Sequence, residues 1–158
     1  MDKTILDTLD NKIIRLLTEN GRMPIGEMSK RLKVTAPTIR SRIKNLEKKG
    51  LLKVSGIIDP NQHPQIITAL VAMSIRSHGK MDQILEKIAR LPNVVWAGVS
   101  TGRYDIIAEV ICVEGKDELY RFTTNTILKI GNVVRSETFI IMKSRHNWLC
   151  LPKGVKEI

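Results

Sequence analysis

The sequence predicts an α+β chain in two parts, a helical N-terminal domain followed by a βαββαβ sandwich. Apolar residues in the first third recur at helical spacing over three short segments punctuated by glycine and proline. Beyond "PNQHPQ", Pro60 to Gln65, the period changes, and strand-like runs alternate with two amphipathic helices. The 158 residues, 42% hydrophobic and 27% charged, suffice for two small domains. The expected division is a first domain over 1–58, a linker over 59–65, a sandwich over 66–143 and a tail over 144–158.

"ILDTLDNKIIRLLTEN" predicts the first helix. Asp7 or Thr8 can cap it, Asp10 suits the positive end of its dipole, and Leu9, Ile13, Leu16 and Leu17 share a face. "MPIGEMSKRLKV" predicts a second, with Pro24 near its start and Met28 and Leu32 at helical spacing. Thr35 is a suitable cap for a third helix, Pro37 falls in its first turn, and Gly50 stops it. Ile39, Ile43 and Leu46 form its buried stripe.

The outer face of that third helix carries the first functional signal. Pro37, Ser41, Lys44, Asn45 and Lys48 point away from the stripe, with Thr38, Arg40 and Arg42 on the flanks. A solubilising face mixes Glu with Lys; here small polar groups alternate with Arg and Lys. That mixture suits a groove, where Asn and Arg read base edges and Lys meets phosphates. The two short helices joined by "KVT" form a helix-turn-helix, and "GLLKVSGIID" reads as a small β-wing beside it. Charge agrees. The chain carries +10 overall, and residues 1–58 hold 13 Lys and Arg against 6 Asp and Glu.

The second part reads in order. "IITALVAMSIR" is a strand, and "KMDQILEKIARL" is a helix on Met81, Ile84, Leu85, Ile88 and Leu91. "NVVWAGVS" and "DIIAEVICV" are strands joined by "TGRYD", "KDELYRFTTNTILKI" is a helix, and "NVVRSETFIIMK" is the last strand. This order is the ferredoxin-like arrangement, with both helices on one face of an antiparallel sheet. The other face calls for a cover, which a homodimer stacked sheet on sheet supplies. "SRHNWLCLPKGVKEI" reads as a tail whose packing partner the sequence does not name.

Charged residues interrupt every apolar run, so no transmembrane span is expected, and "MDKTILDTLD" does not read as a signal peptide. Cys112 and Cys150 read as reduced thiols of a cytoplasmic protein; with scattered His63, His78 and His146 they form no metal-ligand pattern. No cofactor and no catalytic constellation are expected.

Taken together these segments resemble the Lrp/AsnC, or feast/famine, transcription regulators. Leu6, Asp7, Asp10, Ile13, Ile14, Leu16 and Leu17 resemble that family's "LDxxDxxILxLL". "EMSKRLKVTAPTIRSRIKNLEKKGLL" resembles its helix-turn-helix, "PNVVWAGVSTGRYDIIAEV" its glycine-containing effector loop, and "GNVVRSETFIIMK" its closing strand. The resemblance implies a winged helix-turn-helix that binds double-stranded DNA through Thr35, Pro37, Thr38, Arg40, Ser41, Arg42, Lys44, Asn45 and Lys48. It also implies a RAM-type sandwich that forms homodimers and higher homo-oligomers. A small effector, usually an amino acid, would bind between dimers at Thr101, Gly102, Arg103, Tyr104 and Asp105, with Ser136 and Thr138 as partners. From the residues alone "STGRYD" reads equally well as a tight turn. Two other functions fit the same architecture: a haem-precursor decarboxylase, whose loop histidine is missing from "GRYDIIAEV", and a sensor module that does not touch DNA.

Overall fold

The structure, a computed structural model, describes residues 6–76 and 78–155, so residues 1–5 of the first domain and 156–158 of the tail lie outside it. Two compact units divide the chain, the first ending at Gly56 and the second starting at Ile57.

The first unit is three helices, α1 (Thr8–Glu19), α2 (Ile25–Leu32) and α3 (Ala36–Lys48). Asp7 caps α1 in a reciprocal box with Asp10: Asp10 N–H donates to Asp7 Oδ1 at 2.8 Å, and Asp7 N–H donates to the Asp10 carboxylate. Lys33, in the left-handed region at φ 54°, ends α2 and turns the chain into α3. Thr35 caps α3, its hydroxyl accepting from Thr38 N–H. Ile13, Met23, Met28, Ile39 and Leu46 form the core, with Leu9, Leu16, Leu17, Ile43 and Leu52 packed around it. The expected wing is not formed. Residues 51–57 contain no strand, and Ile58 pairs instead with Leu149 in the second unit. A hairpin needs two runs that pair with each other, and the apolar residues here have nearer partners: Leu52 in the helical core and Ile58 in the tail.

The second unit is an antiparallel sheet in the order β2-β3-β1-β4, formed by β1 (Ile67–Ile75), β2 (Val94–Val99), β3 (Ile106–Cys112) and β4 (Val133–Ile140). Helices α4 (Met81–Ala89) and α5 (Lys116–Arg121) cover one face. Ile84, Ile88, Leu119, Phe122 and Ile127 pack there on Ala69, Val71, Met73, Ile106, Ala108 and Val110. After α5 the chain widens into a π-helical turn over Phe122–Ile127. Thr123 and Thr124 donate their hydroxyls back to the Leu119 and Tyr120 carbonyls, a competition with the helical ladder that favours such a departure. Cys112 lies in this core, and burial pushes its thiol up to about 12, which leaves it protonated and inert.

The stretch expected as a linker folds with the second unit. Asp59 caps a short turn at Pro60–Gln62, Pro60 is buried, and the Asn61 side-chain amide donates to Ser144 Oγ at 3.1 Å. The tail finds its place beside it. Ile58 and Leu149 exchange both backbone hydrogen bonds, and Leu149 packs on Ile66 and Ile111 at one end of the helix-free sheet face. Gly154 lies so close to Pro92 that an added Cβ would fall 2.1 Å from the proline Cβ. The rest of that sheet face stays open. Across it run Trp96, Glu109, Leu70 and Phe139, one from each strand, and Trp96 Nε1–H donates to Glu109 at 2.7 Å.

Candidate functional site

Two sites emerge, one in each unit. In the first, the polar residues of α3 sort into two groups. Pro37, Arg40, Ser41, Lys44, Asn45 and Lys48 are exposed on the side opposite Ile39 and Leu46. Thr35 is consumed as the cap, and Thr38 is half-buried, its hydroxyl 2.8 Å from that of Thr35. Arg42, expected as a base reader, lies on the flank of α3 and is turned toward α1. Its guanidinium donates to Asp7 and, at 3.2 Å, to Asp10. It joins α3 to the N-terminus of α1.

Both halves of this contact perturb titration. The Asp10 N–H, with Arg42 adding to it, holds the Asp7 carboxyl below its usual 3.8, and Asp7 in turn raises the Arg42 pKa. Helical geometry explains the placement. Arg42 lies three residues beyond Ile39, about 60° from the buried stripe, so it reaches sideways to a neighbouring helix. Asp7 and Asp10 went unrecognised as its partners because their separation along the chain conceals a contact between the middle of α3 and the start of α1.

In the second unit the loop Ser100–Asp105 closes the β2–β3 hairpin. Ser100 N–H donates to Asp105 O at 2.9 Å, and Ser100 Oγ–H donates to Tyr104 O at 2.6 Å. Gly102 has φ +122° with open space where a Cβ would be, so the backbone conformation rather than crowding calls for glycine. Thr101 and Arg103 are exposed beside it.

Asp105 serves the fold with at least one oxygen: Ile75 N–H donates to its Oδ2 at 2.8 Å, just where β1 shifts register against β4. That N–H lies past the end of the β1–β3 ladder, whose last pair is Met73 with Ile106, and the carboxylate stands in for the missing strand carbonyl.

Tyr104 is the centre of this site. Its hydroxyl donates to Glu137, and the guanidinium carbons of Arg103 and Arg135 lie 5.6 Å and 6.0 Å from its ring centre. The strand residues that meet the loop are therefore Arg135 and Glu137. Ser136 and Thr138, expected in that role, pair across from Met73 and Val71, whose side chains enter the helix-covered core. Alternation along a strand sends neighbours to opposite faces, so a one-residue difference exchanges the two sets. Only the register of β4 decides which pair meets the loop.

Two families match the chain in tandem: winged helix-turn-helix DNA-binding over residues 6–53, and the Lrp/AsnC ligand binding domain over 68–147. The chain belongs to the Lrp/AsnC family of transcriptional regulators. An HTH-type transcriptional regulator of Pyrococcus horikoshii is 36% identical over 140 residues, which cover 88% of this chain and 87% of the relative. Regulatory protein AsnC of Haemophilus influenzae is 29% identical over 140 residues, covering 88% and 93%. The structure of Escherichia coli AsnC superposes with a TM-score of 0.70 at 26% identity over 89% of this chain and 94% of that one. A Neisseria meningitidis transcriptional regulator, solved as its L-Met complex, shares the fold with a TM-score of 0.73 at 23% identity, covering 94% and 97%. This Lrp/AsnC chain is a DNA-binding transcriptional regulator, and its relatives are regulators as well. Among the described residues no helix is long and apolar enough to cross a membrane, and no group of His, Cys, Asp and Glu could hold a metal ion.

Proposed function

We propose that this regulator recognises a defined double-stranded operator through the outward face of α3 and adjusts that binding to a small effector, an amino acid, at the Ser100–Asp105 loop. The observation that carries the first half is the sorting of α3. Its core side is buried and Arg42 is tied down, while Arg40, Ser41, Lys44, Asn45 and Lys48 stand exposed. Side chains of that kind, on one helix of a helix-turn-helix, suit the major groove. The effector half is supported by the family's ligand binding domain and by the Neisseria relative with L-Met. The open sheet face supports a homodimer stacked sheet on sheet, with Trp96, Leu70 and Phe139 at its centre. In this reading dimers assemble further in the cytoplasm, and effector binds where they meet.

Titration of operator and random fragments across salt tests the DNA assignment. Wild type should lose about 10³-fold in operator affinity between 50 and 200 mM salt, because several phosphates are neutralised. Lys48→Ala should weaken all fragments alike and reduce the salt slope by about one, whereas Asn45→Ala should cost about 1–3 kcal/mol on the operator alone. A flat salt response, or full operator preference in Asn45→Ala, would refute α3 as the reading helix.

A further inference from the structure

The surroundings of Tyr104 point past amino acids in general to one class of them. We infer that the site selects an effector with a second negative group, an acidic amino acid such as glutamate or aspartate; this rests on the loop being the effector site. Arg103 comes from the loop and Arg135 from β4, and both guanidinium groups lie within 6.0 Å of one aromatic ring. Among the described residues neither forms an ion pair, unlike Arg42, Arg90 and Arg121. Both are exposed, so each keeps N–H donors for a ligand.

The carboxylate hydrogen-bonded to the ring hydroxyl is that of Glu137. Asp105 adds a second carboxylate to the loop, one oxygen of which accepts from Ile75 N–H, so the donors rather than the net charge separate the ligand classes. A zwitterion with an apolar side chain offers one carboxylate to the two guanidinium groups. An acidic amino acid offers one to each.

The donor chemistry divides the same way. Glu137 has a second oxygen for the ligand ammonium. One guanidinium takes the α-carboxylate and the other the side-chain carboxylate, each by paired charge-assisted hydrogen bonds. Tyr104 supplies the flat surface between them. An amide in place of the second carboxylate has the same shape, but it exchanges an anionic acceptor for a neutral oxygen and an NH₂ that faces a cation. The distinction is one of charge and not of size.

Isothermal calorimetry on the full-length protein, with glutamate, glutamine, aspartate, asparagine, leucine and methionine as ligands, tests this. Glutamate or aspartate should bind at least about tenfold more tightly than its own amide, since hydrogen bonds to charged groups exceed neutral ones by that order. Arg135→Gln and Arg103→Gln should each narrow the acid-to-amide ratio to about threefold or less, with circular dichroism checking that the exposed substitutions leave the fold intact. An amide or a neutral amino acid that binds wild type as well as the acid does would overturn the charge selection and leave the loop as the amino-acid site. If none of the six binds, the effector reading of the loop falls, and the selection with it.

Discussion

A single residue, Arg42, shows how a side chain of a type suited to DNA can be engaged by its own fold. Its guanidinium bridges Asp7 and Asp10, the two residues of the α1 capping box, and so serves the folding of the helical unit. Arg42→Ala should therefore lower the stability of that unit at neutral pH while reducing operator affinity by less than about threefold, short of the tenfold or more that losing a bidentate base contact implies. The effect has a definite pH dependence. Asp7 titrates below 3.8 in the folded chain, so its ionised form contributes stability above that value and the contribution disappears as pH falls through the folded pKa. Urea melts at pH 7 and pH 3 should show the gap between wild type and Arg42→Ala narrowing at the lower pH. A gap of equal size at both would mean that the arginine acts through packing of its aliphatic stem.

Among the elements, the tail departs most from its sequence appearance. "NWLCLPKG" has no period, yet Leu149 is only 4% exposed and makes a two-bond bridge to Ile58. The contact brings the first and last stretches of the second unit together over Ile66 and Ile111. Leu149→Ala should cost that unit about 2–5 kcal/mol, the range for a buried leucine replaced by alanine in a packed site. Thermal melts of the full chain check it, and a loss under about 1 kcal/mol would mean that the tail only rests on the surface. Further along the tail Gly154 closes against Pro92, where only a residue without a side chain fits.

At the scale of the whole molecule, an uncovered sheet face remains. Trp96 and Phe139 keep 48% and 47% of their surface exposed, although each sits in a row with Leu70 at its middle. Large aromatic groups left in water on one face, beside a core that is otherwise well filled, suit a surface made for another copy. Phe139→Glu places a charge in that row without disturbing the helix-covered core. If the proposed sheet-on-sheet dimer forms through this row, light scattering after gel filtration should show a wild-type dimer and a monomeric variant at micromolar concentration, with the circular dichroism spectrum unchanged. A variant that stays dimeric would move the dimer interface to another surface.

The sequence alone determined the three N-terminal helices and the order of the sandwich elements, though not the fate of the expected wing, because each of these has its own period, caps and breakers written into a few adjacent residues. Thr35 with Pro37 and Ile39 specifies a helix start wherever the segment lies, and the βαββαβ order follows from where the period changes. The outward positions Ser41, Lys44, Asn45 and Lys48 were legible for the same reason, since a helix wheel needs no neighbours. Tertiary structure alone decided every question of partnership. It joined Arg42 to Asp7 and Asp10, folded the 59–65 stretch into the second unit, gave Ile58 to Leu149 in place of a wing, and committed an Asp105 oxygen to Ile75. It also set the register that brings Arg135 and Glu137, and not Ser136 and Thr138, to Tyr104. Local rules act over one turn or one pleat, whereas these contacts join residues more than 25 positions apart, and only the folded chain brings such residues within hydrogen-bonding distance.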